Sequence, residues 1–195
     1  SKPLVSVCAM CLFERGVFQL DEPISHHLPS FANPTVMLPP GETVPAKREI
    51  TFADLLTHTA GLTYGDGDGP VDAAYKAAGC GWDAPYKLSL GDFVDRGGRL
   101  PLAFHPGESW RYSYATDVLG RLLELLAGCE LDQLMRRMLF EPLGMDDTGF
   151  VVTPAQLPRF AQIYEADEST VKLGQLARER RRFERHGSYA SLLWS

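Results

Sequence analysis

A leucine-rich segment from residue 116 to residue 127 is the feature that most restricts what this chain can fold into. Apolar residues recur there at intervals of three and four, and a glycine follows at position 128, where a helix can end. The segment 131–140 continues as a second helical pattern, which we expect Pro142 and the turn at Gly144 to stop. Two consecutive helices of this kind predict a chain in which helix far exceeds strand.

Further helix signals lie on the N-terminal side of this pair. Residues 3–14 carry apolar side chains at helical spacing, with Leu4, Val7, Cys8, Cys11 and Leu12 on the predicted buried face. Capping patterns at 51–54 and 89–92 predict two short helices, the first ended by Gly61. The segment 149–153 is the best strand candidate.

Composition limits the classes of protein to consider. A chain of 195 residues with 45% apolar content can bury the core of one domain or of a large part of one. The net charge of −6 gives no reason to expect nucleic acid, and no run approaches the ~20 apolar residues that span a bilayer. We therefore expect neither a nucleic-acid nor a membrane partner, and we interpret the arginines of 178–185 as a solvated helix or a disordered end.

Several clusters suggest metal or redox chemistry but are better explained by structure. The Cys8–Cys11 pair has CxxC spacing but lies on an apolar helical face, so we expect packed, free thiols. The acidic turn 66–69 lacks the ligands that would complete a calcium loop. His58 near a helix end favours a structural role over catalysis. We expect no metal and no cofactor.

The loop 104–114 is the strongest site candidate. A Pro-Gly turn and Trp110 precede Tyr112, which stands immediately before the leucine-rich helix, where a rigid loop can hold a phenol over a cleft. A phenol has a pKa near 10, so it takes up a proton at neutral pH only if a nearby cation stabilises the phenolate. Lys2 is the candidate cation. The alternative is that Tyr112 only packs, as tyrosines in aromatic loops usually do.

Four blocks in order resemble the serine β-lactamase-like superfamily, with the greatest similarity to class C β-lactamases and to carboxylesterases of the same fold. They are Ser1-Lys2-Pro3, Leu55-Leu-Thr-His-Thr-Ala-Gly-Leu62, Pro106-Gly with Trp110-Arg-Tyr-Ser113, and Glu141-Pro-Leu-Gly-Met145-Asp-Asp-Thr148. The resemblance spans residues 1–164, and residues 165–195 form a charged tail that does not match. It implies the α+β fold of β-lactamases and transpeptidases, of which this chain would hold the mostly helical part, with long loops, little strand and an exposed apolar face.

The resemblance also implies a mechanism. The family nucleophile is the serine of an S-x-x-K motif, so if Lys2 is that lysine, the nucleophile precedes Ser1 and Ser1 is not it. Lys2 and Tyr112 would activate that serine and relay its proton. Tyr114 stands where the family motif Tyr-x-Asn has its asparagine, which makes it the candidate substrate-binding residue and favours ester over β-lactam hydrolysis.

We therefore expect a truncated piece of a serine hydrolase, most similar to an esterase that works through an acyl-enzyme and inactive as the piece alone. β-Lactamase, D-Ala peptidase and non-catalytic binding protein remain alternatives. The expected partner is a small ester or amide. Oligomeric state and compartment are open, with the cytoplasm as the default.

Overall fold

A computed structural model describes residues 2–81, 88–160, 164–166 and 173–175 of the chain. Helix α1 covers Lys2–Glu14, as the sequence predicts, but its buried face is rotated from the predicted one. Val5, Cys8, Ala9 and Leu12 are buried. Val7, predicted to be buried, is 48% exposed, and Met10 is 36% exposed. Two apolar side chains of this helix are therefore exposed.

Helix α5, Ala115–Ala127, is the centre of the core and confirms the helix predicted from the leucine-rich segment. It contacts α1 and three other helices, which are α2 (Phe52–Thr57), α4 (Leu90–Gly97) and α6 (Leu131–Met135). Four of its apolar side chains are almost completely buried, namely Val118, Leu119, Leu122 and Leu123. Burying each of them stabilises the fold by about 1.5 to 3 kcal/mol. Gly128 ends the helix in the left-handed conformation, with φ of 66°.

Side chains begin the short helices as the capping patterns predict. Thr51 and Asp54 form a complete capping box at the start of α2, and Ser89 caps α4 by accepting from the backbone N–H of Asp92. The predicted end of the first helix at Gly61 was wrong. The helix ends at Thr57, and His58 caps it with φ of 58° and ψ of 33°. Helix α3, Pro70–Ala77, follows the acidic turn.

The segment after α5 differs from the predicted single helix. Helix α6 passes into a π-helical stretch, Arg136–Phe140, and then into a final turn, α7, at Glu141–Leu143. Pro142 does not stop the helix, because proline fits the first turn of α7, where its missing N–H is not needed. Gly144, with φ of 64°, is the actual end.

Strands are few and lie in two hairpins within the described residues. Strand β1, Thr35–Leu38, pairs antiparallel with β2, Glu42–Pro45, and β3, Tyr164–Ala166, pairs antiparallel with β4, Leu173–Gln175. The strand expected at 149–153 is not formed. The described part is mostly helix with long loops, which confirms the expected character of the chain.

The expectation for the arginine-rich segment 178–185 lies outside the described residues, as does most of the tail 165–195. The boundary at residue 164 stays a prediction.

Candidate active site

Two segments that are distant in sequence pair to form one wall of the site. Segment 58–61 accepts backbone hydrogen bonds from the loop 103–111 at three places: Ala103 N to Gly61 O at 2.7 Å, Gly107 N to Thr59 O at 2.9 Å, and Arg111 N to His58 O at 3.0 Å. Gly61 is needed for this approach, because a Cβ there would lie 2.4 Å from the carbonyl oxygen of Phe104. The pairing brings Tyr112 to the end of α2.

The structure brings together the two residues predicted to be catalytic. Lys2 begins α1, and its Nζ lies 4.3 Å from the centroid of the Tyr112 ring, a distance typical of a cation–π contact. The same Nζ donates a hydrogen bond of 3.2 Å to Oη of Tyr64. The rings of Tyr64 and Tyr112 are themselves 5.7 Å apart. Lys2 and the two tyrosines therefore form one cluster.

The surroundings of Lys2 favour its charged form. Burial opposes the charge, but hydrogen bonding and electrostatic attraction from Tyr112 and Tyr64 outweigh it, so the pKa of Lys2 is raised. Lys2 is therefore an ammonium at neutral pH. This is the state in which it can stabilise a negative charge on a neighbouring oxygen.

Tyr64 is a member of the cluster that the sequence reasoning missed. Its side chain is only 8% exposed, and burial, with a further contribution from the carboxylate of Asp117, raises its pKa although Lys2 opposes this. Tyr64 thus stays a neutral phenol that accepts from Lys2. It follows the Leu55–Leu62 block by two positions, but no local pattern indicates a contact with a residue 62 positions away.

His58 packs against the site from the end of α2. Its ring centroid is 5.0 Å from that of Tyr112 and 6.3 Å from that of Trp110. Burial and the nearby Lys2 charge lower the pKa of His58, so the imidazole is neutral at neutral pH. Its buried Nδ1 has no hydrogen-bond partner among the described residues. The left-handed backbone at this non-glycine residue is a strained conformation of the kind often found at functional sites.

Tyr114, the predicted substrate-binding residue, lies apart from this cluster. It is 1% exposed, and its ring packs 5.3 Å from that of Phe93 and 5.9 Å from that of Tyr75. Its hydroxyl lies against Gly97, where a Cβ would be 2.5 Å away. A side chain enclosed in this way offers a substrate almost no surface, so we assign Tyr114 a packing role and correct the earlier expectation.

Other candidates of the sequence analysis lie outside the site. Cys8 is buried, and burial raises its pKa to about 12, which makes it a poor nucleophile. All four cysteines are free thiols.

Among the described residues no group of His, Cys, Asp and Glu could hold a metal ion. No helix in the described ranges has the length and apolar character needed to cross a bilayer.

The cluster places an accessible phenol beside a fixed positive charge. Tyr112 is 48% exposed, so its phenol can meet a substrate, and Lys2 provides a fixed positive charge beside it. A phenolate beside an ammonium can accept a proton and return it during acyl transfer.

Comparison with known proteins shows the family of the chain. A protein-family model described as Beta-lactamase matches residues 1–191. Protein Rv1367c of Mycobacterium tuberculosis is 34% identical over 173 residues, which cover 86% of this chain and 42% of that protein. Esterase EstB of Burkholderia gladioli is 35% identical over 167 residues, which cover 84% of this chain and 40% of the esterase.

A solved structure gives the same result for the fold. EstCE1, described as a hydrolase with promiscuous acyltransferase activity, superposes with a TM-score of 0.72 at 32% identity, over 90% of this chain and 43% of EstCE1. The chain therefore spans less than half the length of each of these proteins. Because the family model covers almost all of its residues, the chain belongs to the β-lactamase family, with the β-lactamase/transpeptidase-like fold.

Proposed function

We propose that the whole protein of which this chain forms part is a serine hydrolase that cleaves small carboxylic esters through an acyl-enzyme. The observation that carries the proposal is the contact between Lys2 and Tyr112, with Nζ 4.3 Å from the ring centroid. Lys2 and Tyr112 are the proposed catalytic residues, and the proposed nucleophile is a serine three positions before Lys2.

The proposed reaction has two balanced steps. In the first, the serine oxygen bonds to the ester carbonyl carbon, its proton passes to the Tyr112 oxygen and then to the leaving alcohol, and the carbon–oxygen bond to that alcohol breaks. In the second, water attacks the acyl-enzyme and gives a proton to the same Tyr112 oxygen. That proton then passes to the serine oxygen as its bond to the acyl carbon breaks, which releases the carboxylic acid and the free serine. Tyr112 is a phenolate before it takes up each proton and again after it has passed the proton on, and the Lys2 ammonium stabilises that negative charge.

Two features favour ester over β-lactam substrates. EstB, which is 35% identical to this chain, is named an esterase. In addition, the position that carries an amide in the β-lactamase motif is Tyr114 here, and its burial keeps its hydroxyl from replacing that amide. The structure of a D-stereospecific amidohydrolase is only 18% identical, so that likeness concerns the fold alone.

The test is a direct comparison of substrates with the purified whole protein. We expect it to turn over a short-chain nitrophenyl ester with a higher kcat/KM than a chromogenic cephalosporin. The opposite order would reject the esterase assignment in favour of a β-lactamase. If the protein hydrolyses neither substrate but binds the ester saturably, the result would instead support the alternative of a non-catalytic binding protein.

Acyl transfer to an acceptor alcohol is a second candidate activity. EstCE1 is described as having promiscuous acyltransferase activity, and hydrolysis and transfer differ only in whether water or an alcohol attacks the acyl-enzyme. Adding a small alcohol to the ester assay separates the two. A new ester product at the expense of free acid indicates transfer, and free acid alone indicates a hydrolase.

A further inference from the structure

One buried carboxylate joins the two segments that carry the tyrosines of the site. Asp72, in the first turn of α3, is 3% exposed. Its Oδ1 accepts two hydrogen bonds, one of 2.7 Å from Oγ1 of Thr63 and one of 2.7 Å from Nη2 of Arg111. Thr63 is completely buried, so its bond to Asp72 is shielded from water.

The two partners of Asp72 are the direct neighbours of the two tyrosines. Thr63 precedes Tyr64, and Arg111 precedes Tyr112. Consecutive Cα atoms are about 3.8 Å apart, so fixing one residue leaves its neighbour little freedom. The same carboxylate therefore restrains both rings that contact Lys2.

The surroundings of Asp72 favour a charged carboxylate. Burial opposes the charge, but hydrogen bonds from Thr63 and Arg111, the guanidinium charge and a backbone N–H of Gly67 outweigh it and lower the pKa of Asp72. A buried carboxylate is costly unless it is paired and hydrogen-bonded, and here every one of these partners comes from outside α3. Asp66 provides a second, weaker contact to Arg111, at 3.3 Å.

A simpler explanation is that Asp72 only stabilises the start of its own helix. Asp92 has that role in α4, where it occupies the equivalent third helical position, is exposed, and contacts its own capping residue Ser89 at 2.7 Å. Asp72, unlike Asp92, is buried. Its carboxylate bonds to Thr63 and Arg111 on two other segments and not to the residue that caps its own helix. Helix stabilisation alone does not account for this arrangement.

We propose that Asp72 is a positioning residue that holds Tyr64 and Tyr112 against the Lys2 ammonium. The inference rests on the proposed function for its catalytic consequence, but the positioning itself can be measured without activity. In this proposal Asp72 acts through Thr63 and Arg111, which hydrogen-bond to its carboxylate.

The kinetic test compares Asp72→Asn with the matched control Asp92→Asn in the whole protein, well below the unfolding temperature. We expect kcat of Asp72→Asn to fall on the order of 10- to 100-fold, with a smaller change in KM, because a misplaced catalytic group reduces the fraction of reactive encounters. Asp92→Asn should retain kcat within about twofold.

The pH profile separates positioning from a general loss of stability. The groups that face Lys2 are Tyr64, Tyr112 and His58, and the two tyrosines raise its pKa against the effect of burial. If Asp72→Asn loosens the tyrosines, the alkaline limb of kcat/KM moves to lower pH. An unchanged limb with reduced thermal stability would mean that Asp72 is only structural, and would overturn the proposal.

A second readout does not depend on activity. We would incorporate 3-fluorotyrosine, assign the Tyr64 and Tyr112 signals with the Tyr64→Phe and Tyr112→Phe variants, and record fluorine NMR spectra. Both signals should shift or broaden in Asp72→Asn and stay unchanged in Asp92→Asn. Unchanged signals would refute the positioning role, whereas altered signals in a protein inactive towards esters would refute the proposed function and leave the positioning role intact.

Discussion

The Nζ atom of Lys2 lies 4.3 Å from the centroid of the Tyr112 ring, so a half-buried positive charge covers one face of the exposed phenol. The two residues are 110 positions apart in the sequence and meet because α1 packs on α5, whose first turn follows Tyr112. This contact is the basis of the proposed chemistry.

Removing the Lys2 charge should abolish most of the activity. We expect Lys2→Met to lower kcat/KM of the whole protein for a nitrophenyl ester by at least about 10³-fold, as loss of a member of a catalytic group does in other hydrolases. Lys47→Met is the matched control, because Lys47 is exposed and its ammonium pairs with Glu108 at the surface. Equal activity of the two variants would show that Lys2 has no part in catalysis.

Removing the Tyr112 hydroxyl should affect the chemical step more than binding. Tyr112→Phe keeps the ring under Lys2 but cannot carry a proton, so we expect kcat to fall about 10²- to 10⁴-fold with KM little changed. Tyr114→Phe makes the same change in a buried tyrosine outside the site, and steady-state kinetics should find its kcat close to that of the unaltered protein. A large loss in Tyr114→Phe would contradict the packing role assigned to that residue.

The Tyr64 hydroxyl should control the pH range of activity. It accepts a hydrogen bond from Lys2 and contributes to the raised pKa of Lys2. The Tyr64→Phe variant lacks this hydroxyl, so less remains to offset the effect of burial, which lowers the pKa of Lys2. Lys2 therefore loses its proton at a lower pH. The alkaline limb of the pH profile of kcat/KM should therefore move to lower pH. An alkaline limb that stays in place or moves to higher pH would refute this role of the Tyr64 hydroxyl.

Stability should depend on acid pH through the pair of the exposed Arg48 and the buried Asp54. Burial opposes the Asp54 charge, but the hydrogen bonds from Arg48 and Thr51 outweigh it and lower the pKa of Asp54 in the folded state. Its stabilising contribution is then complete above the unfolded pKa of about 4 and is lost as the pH falls through the lower folded pKa.

Urea unfolding of this chain measures that contribution. We expect Asp54→Asn to reduce the free energy of unfolding by about 1.5 to 3 kcal/mol at pH 7, since it breaks hydrogen bonds to a charged group. The difference from the unaltered chain should shrink as the pH is lowered below about 4. Asp21→Asn, at an exposed site, serves as control, and a difference that is the same at every pH would contradict the assignment.

Replacing Gly61 with alanine should destabilise the fold far more than replacing Gly128 with alanine, although both glycines have positive φ. A side chain at Gly128 meets nothing within 4 Å, whereas a Cβ at Gly61 lies 2.4 Å from the Phe104 carbonyl oxygen. Gly128→Ala should cost about 1 to 2 kcal/mol for the left-handed backbone alone. Gly61→Ala adds the clash and should cost about 2 to 5 kcal/mol in the same unfolding experiment.

Features with strong local signals were predictable from the sequence. Helix α5 was predicted because its leucines repeat at helical spacing and Gly128 ends it, and the starts of α2 and α4 were predicted because capping residues act within three positions. Helix α3 was missed because the acidic glycine turn before it was interpreted only as a turn. Strands β1 and β2 were missed because they bury few side chains and so show little alternation.

The site was predictable where a local pattern or a family motif covers it. Tyr112 was selected from the loop before α5 and Lys2 as the cation near it, and the resemblance then implied a catalytic role for both. The structure brings them together. Tyr64 and Asp72 act through contacts between segments that carry no mutual sequence signal. The orientation of Tyr114 depends on where α5 begins, since Tyr114 is the residue that precedes it and so turns towards the core.

Mapping the acyl group on the whole protein tests the central claim most directly. The protein is mixed with a short-chain nitrophenyl ester, quenched in acid within the first turnover, digested, and examined by mass spectrometry. The proposal predicts one acyl group, on the serine three positions before Lys2. In a Tyr112→Phe variant the same serine should be acylated, but at a much slower rate. Steady ester turnover with no acylated peptide, or an acyl group on Ser1 or on a residue remote from Lys2, would contradict it.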